Sequence, residues 1–241
     1  MARRSLVGRR RRRGSQWVVA SALLLAAAGV ANDRGFTPAQ AQTPTQTPAA
    51  AAGDAAQLDA KAAEVMRRSF RAQGQAGLDR LEQDLALRAC SAAEPPSAEV
   101  LKKIEAEALA TIKWPADGKF IGAWKAGEAI AQSGRGMTWS DKPEAPSGGG
   151  CYNCHQIGPQ EISYGTIGPS LFNFGKLRGV KDPADPASEA IVKYTWSKLY
   201  NAKAFNGCSG MPRIGYAGVL TEQQMKDVMA LLLDPASPVN K

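Results

Sequence analysis

Gly148-Gly149-Gly150-Cys151-Tyr152-Asn153-Cys154-His155 decides how the rest of this chain is read. Two thiols three positions apart, followed at once by an imidazole, make a C-x-x-C-H spacing. The thiols can add across the two vinyl groups of one haem while the histidine turns its ring onto the iron. His155 is the only histidine in 241 residues, so the single imidazole stands where such a group needs it. The three glycines give the chain the backbone freedom to turn into the motif. A thioredoxin-type dithiol competes with this reading, but it needs a βαβ setting that the surrounding sequence does not supply. Zinc also competes and is short of ligands, because His155 adjoins Cys154 and the two cannot easily reach one tetrahedral ion. A plain disulfide between Cys151 and Cys154 leaves His155 without a role. The expected cofactor is one covalent haem c.

An iron held by His155 has a second axial position, and downstream of the motif the only methionines are Met211, Met225 and Met229. Met225 and Met229 fall on the apolar stripe of the last helical pattern, where core packing is the favoured role. Met211 lies in Gly207-Cys208-Ser209-Gly210-Met211-Pro212, with glycine freedom before it and a proline fixing the backbone after it, and is the expected ligand. His/Met coordination fills both axial positions and favours ferrous iron, so electron transfer is expected rather than oxygen chemistry. An axial histidine needs an acceptor for its other ring nitrogen. Pro169, in Gly168-Pro169-Ser170-Leu171, offers its carbonyl; an ordinary surface turn is the competing reading there. Cys90 and Cys208 remain. In an oxidising compartment they most simply pair; a free thiol at either position would instead ligate iron or meet a sulfur substrate.

Moving outward, the formal charge of +8 is concentrated at the start, where Arg9 to Arg13 is unbroken. Trp17 to Ala31 is apolar but short for a membrane span, and Ala39-Gln40-Ala41 is a small-x-small cleavage site, so residues 1–41 read as a secretory signal. A retained anchor or an arginine-rich nucleic-acid arm is the competing reading. Those residues hold eight arginines and one aspartate, and without them the charge falls to +1. The mature chain is therefore expected in the periplasm, with no nucleic-acid partner and no membrane association.

Residues 42–56, rich in Thr, Pro, Ala and Gln, read as a flexible leader. From Leu58 the apolar spacing turns helical: Leu58, Ala62, Val65, Met66 and Phe70 share a face, Leu78 to Leu87 repeat the pattern, and Ser97 caps a run ending at Trp114-Pro115. Residues 57–115 form a helical extension on this reading. Gly118 to Gln132 gives a fourth segment, Asp185-Pro186 opens a fifth, and Thr221-x-x-Gln224 begins the best-marked helix, ended by Asp234-Pro235. No alternating strand pattern of useful length is present, so the fold class is mostly α.

The last ninety or so residues carry a more specific likeness. The stretches YGTIGPSL at 164–171, FGKLRG at 174–179, YTWSKLYNAKAFNGCSGMPRIG at 194–215 and the LLDPASPVN ending closely resemble the SoxX family, the monohaem subunits of the SoxAX cytochromes of bacterial thiosulfate oxidation. The resemblance implies a class I cytochrome c domain over 116–241, with Cys151 and Cys154 as thioether attachments, His155 as proximal ligand and Met211 as distal ligand. It also implies a heterodimer with a SoxA-like dihaem or monohaem cytochrome, passing contact with a SoxYZ carrier, and a downstream electron acceptor. Such a complex acts as an L-cysteine S-thiosulfotransferase whose bond-forming site is on SoxA, while the SoxX-like subunit removes electrons. A free-standing periplasmic carrier serving another oxidase or reductase is the second expectation. Residues 57–115 depart from the compact members of the family.

Overall fold

The structure, a computed structural model, describes residues 50–241. The signal at 1–41 and the leader up to residue 49 lie outside the described residues. The described part belongs to one compact unit and is all helix, turn and loop, with one isolated bridge between Gln73 and Ala76 in place of any sheet. No described helix is long and apolar enough to cross a membrane.

Helix α1 spans Ala50–Ser69, so the end of the expected leader is already helical. Alanine, the residue that loses least on entering a helix, dominates Ala50 to Ala56 and outweighs the absence of an apolar face. The pattern from Leu78 to Leu87 does not make one helix. It divides into a 3-10 turn at Leu78–Leu81 and a short helix α2 at Leu85–Cys90, because the Asp84 carboxylate accepts the Leu87 amide and starts a new N-terminus. Ser97 caps α3, Ala98–Ala110, through the Val100 amide. The segment expected from Gly118 becomes helical only at α4, Trp124–Gln132. The Gly122 amide is taken by Lys226 O and the Ala123 amide by Asp227 Oδ1, at 2.9 and 2.8 Å, so the chain before Trp124 is held extended against a later helix.

The other helices are α5 (Phe174–Leu177), α6 (Glu189–Tyr200) and α7 (Glu222–Leu233). Asp185-Pro186 opens α6 through a 3-10 turn at Pro186–Ser188, and Thr221 with Gln224 forms both halves of a capping box on α7. α7 is the centre of the core: Met225, Val228, Met229, Leu231, Leu232 and Leu233 are all buried. Its closest neighbour is α4, which crosses it at Gly127. A Cβ on Gly127 would stand 2.6 Å from the Asp227 carbonyl carbon and 3.0 Å from Leu231 Cβ. Gly127→Ala is therefore expected to push the two helices apart and destabilise the protein by about 1–3 kcal/mol. A urea melt reads this as a lower midpoint at unchanged slope.

The C-terminal tail closes the core. Asn240 accepts the Gly175 amide at 2.9 Å and donates to Leu232 O and Asp234 O, both at 3.0 Å, tying α5 to the end of α7. The extension is tied in as well. Trp196 Nε1 donates to Lys113 O at 2.8 Å, Asn201 Nδ2 donates to Thr111 Oγ1 at 3.0 Å, and Phe120 sits edge-on between Trp114 and Trp196. Ile104 and Ala108 of α3 are buried.

Candidate functional site: a Cys-x-x-Cys-His turn and a braced methionine loop

The glycines before the motif dock on the last turn of α4 and the loop after it. Gly148, Gly149 and Gly150 donate in turn to Arg135 O, Ile130 O and Ser133 O at 2.7–2.8 Å. Gly150 has φ +57°, a left-handed turn that glycine adopts at no steric cost, and it delivers the chain into a 3-10 turn at Cys151–Asn153. Cys154 N and His155 N both donate to Cys151 O, at 3.1 and 2.9 Å. Tyr152, buried between the two cysteines, donates its hydroxyl to Glu128 Oε1 and accepts the Gly158 amide, both at 2.9 Å. Burial first and then the Glu128 carboxylate push this phenol well above its usual range, so it remains a donor. The motif is thus bolted to α4 through Tyr152.

The loop 156–171 wraps the other side. Gly165 N donates to Tyr152 O, Gly168 N to Cys154 O and Leu171 N to Gln156 O, each at 2.8 Å. This wrapping places Pro169 O 2.7 Å from His155 Nδ1. A carbonyl only accepts, so Nδ1 carries the proton and Nε2 keeps its lone pair. Gly168 lies flat against the imidazole, where a Cβ would come within 2.7 Å of Nε2. The ring is fixed in tautomer and in orientation, as a metal-binding histidine requires.

Cys151 and Cys154 are free thiols, both partly buried. Burial, with Cys154 and Glu128 adding to it, pushes the Cys151 thiol up to about 11, so it stays protonated at neutral pH. A dithiol oxidoreductase needs the opposite, a thiolate exposed in an electropositive setting. Among the described residues no group of three or more His, Cys, Asp or Glu converges where it could hold a metal ion. Ile162 and Ile167, in the loop that follows His155, are 91% and 88% exposed.

Met211 is partly buried and packs against the main core, while Met225 and Met229 are fully enclosed within it. The loop carrying Met211 is braced from the extension. Cys90, at the end of α2, is joined by a disulfide to Cys208. Asp84 forms an ion pair with Arg213, and Glu105 Oε1 accepts the Gly207 amide at 3.2 Å. Lys203, 6% exposed, donates its ammonium to Gly207 O and Ser209 O at 3.2 and 3.3 Å. The structure thus shows Cys151, Cys154, His155 and Pro169 gathered around one turn, and Met211, Cys90 and Cys208 around one loop.

No family model matches the chain. It is 37% identical over 163 residues to an uncharacterized lipoprotein of Aquifex aeolicus (strain VF5), a match covering 66% of this chain and 73% of that one. The chain belongs to the family of that lipoprotein. A continuous match of this length within 241 residues necessarily spans both α3 and the Cys151–His155 turn. The α3 part of the helical extension and the segment that holds the motif therefore both lie within the matched region.

Sequence reasoning missed the residues that brace the family member's methionine loop. Arg213 stood two positions after Met211, where a cation was a visible signal, but nothing marked Asp84 or Glu105 as its neighbours. Partial burial pushes the Asp84 carboxyl up, but the Leu87 amide and the Arg213 guanidinium outweigh it and hold it below its ordinary 3.8. A depressed carboxyl contributes stability that is present above the unfolded value and lost as pH falls through the folded one. Asp84→Asn is expected to remove this contribution at neutral pH and to flatten the loss of stability below pH 3.8, read from urea melts at pH 7 and pH 3.

Proposed function

We propose that this chain is an exported monohaem c-type cytochrome with a class I cytochrome c-like domain, working as the electron-transfer subunit of a SoxAX-type complex. The observation that carries the reading is the His155 ring, held through Nδ1 by Pro169 O with Nε2 free, one residue after a pair of free thiols. Cys151 and Cys154 would hold the haem through two thioether links, and His155 Nε2 and Met211 Sδ would be the side-chain donors to its iron. Bound there, a haem supplies a one-electron couple.

The chain's own residues do the rest. Pro169 O holds the proton on Nδ1 and makes the imidazole a better donor. The Tyr152–Glu128 bond fixes the thiol-bearing turn to α4, and the core around α7 keeps water from the apolar side. Ile162 and Ile167, with the half-exposed Tyr164, offer a partner an apolar contact next to the histidine. In such a complex an S–S bond would form, at a site on the SoxA-like partner, between thiosulfate and a cysteine thiol of the SoxYZ carrier. Its formation releases two electrons and one proton. This chain would carry those electrons one at a time to a downstream acceptor.

The relative is named a lipoprotein, which supports export of this chain, as does the signal read over 1–41. We place the mature protein in the periplasm. Coexpression with a SoxA-like cytochrome and a haem-attachment system, purification through a tag on this chain, and addition of thiosulfate with SoxYZ test the proposal. A stoichiometric partner and thiosulfate-dependent reduction are expected. A haem-bearing monomer that does not respond would make it a free-standing electron carrier instead.

A further inference from the structure

Met211 sits in a stretch with little hold of its own. Its amide reaches Ser209 Oγ at 3.3 Å, and Gly210 before it has nothing within 4 Å of a would-be Cβ. Lys203 holds Gly207 O and Ser209 O upstream of it, and the segment before residue 111 pins the stretch on both sides. Three residues upstream of Met211, Cys208 is bonded to Cys90. Two residues downstream, Arg213 is paired with Asp84. Both anchors come from the two ends of α2. A third comes from α3, where Glu105 takes the Gly207 amide and Leu101 and Ile104 press on Gly207 so closely that a Cβ would meet them at 3.2 and 3.4 Å.

We propose that Asp84, Cys90 and Glu105 are positioning residues, through which the N-terminal helical segment clamps the loop on either side of Met211 and holds the thioether in place as an iron ligand. This inference rests on the function proposed above. A thioether is a neutral, weak donor, and its advantage over a ligand from solution is its effective concentration at the iron. That concentration falls when the loop is free to explore other arrangements, and two anchors flanking the ligand prevent this. The clamp gives the extension a task in the haem domain itself, beyond covering its surface.

Imidazole titration of the ferric holoprotein tests the clamp, together with the red absorption band that a methionine sulfur gives on ferric iron. The variants are Cys90→Ser/Cys208→Ser, Asp84→Asn and Asp84→Glu. Without the disulfide, imidazole is expected to bind roughly tenfold more tightly, equivalent to about 1.4 kcal/mol, and the red band to weaken. Asp84→Asn is expected to shift the affinity in the same direction by roughly threefold, and Asp84→Glu, which restores the charge, to behave like the parent. A merely structural role would lower the melting temperature and leave imidazole affinity unchanged. If both the disulfide variant and Asp84→Asn bind imidazole within twofold of the parent, the clamp is wrong. Should the disulfide variant fail to mature, Asp84→Asn and Asp84→Glu decide alone. A parent protein without covalent haem would instead overturn the proposed function, so the two failures are distinguishable.

Discussion

Met211→Ala is expected to lower the reduction potential of the holoprotein by on the order of 100 mV, since a ligand that favours ferrous iron roughly a hundredfold is worth about 118 mV at 59 mV per tenfold. The mutation is also expected to open the iron to cyanide and imidazole. Met211 is the methionine placed for this effect: it lies at the edge of the core in a loop, whereas Met225 and Met229 are enclosed within α7's packing. Met225→Leu and Met229→Leu are accordingly expected to change stability slightly and the potential little, because a volume-conserving swap in a core usually costs less than about 1.5 kcal/mol. Protein-film voltammetry on the three variants separates the roles. A potential that falls in Met229→Leu and not in Met211→Ala would reassign the ligand.

The largest expected change in stability comes from Cys90→Ser/Cys208→Ser. The disulfide closes a loop of 118 residues, so its loss frees a long stretch of unfolded chain and is expected to cost about 3–5 kcal/mol. The native state adds to this, because Lys203 is buried with its ammonium on Gly207 O and Ser209 O, and loosening that loop takes acceptors away from a buried charge. Burial holds the Lys203 ammonium below its ordinary value, with Arg213 working in the same direction and Asp84 against it. Equilibrium denaturation of the parent and the double variant, both carrying the cofactor, measures the difference. A change under about 1 kcal/mol would mean that the unfolded chain is already restrained near these residues.

Local signals in the sequence were read correctly where the cause is local. Thr221 with Gln224, Ser97, and Asp185-Pro186 each act within a few residues, and each starts a helix where its pattern placed it. The bond from His155 to Pro169 is legible because a histidine expected to hold a metal needs an acceptor for its other ring nitrogen and a proline loop offers one nearby. The misreadings have tertiary causes. Gly118 to Ala123 carries a helical pattern, yet α7 takes its amides through Lys226 O and Asp227 Oδ1. Asp84 reads as one polar residue in a leucine-rich run, and only the fold shows it capping α2 and meeting Arg213 across 129 positions. The ionic brace around Met211 was invisible for the same reason. Asp84, Glu105 and Lys203 have no shared spacing, and the packing of α2 and α3 on the loop is what brings them together.

The central claim is that Cys151 and Cys154 carry haem on this chain, and it is tested most directly by exporting the protein with a haem-attachment system and denaturing it. The account expects a single haem that stays with the polypeptide through acid-acetone extraction and a visible spectrum of a low-spin His/Met cytochrome, both lost in Cys151→Ala/Cys154→Ala. Correctly exported, folded protein with two free thiols and no visible absorbance would contradict it.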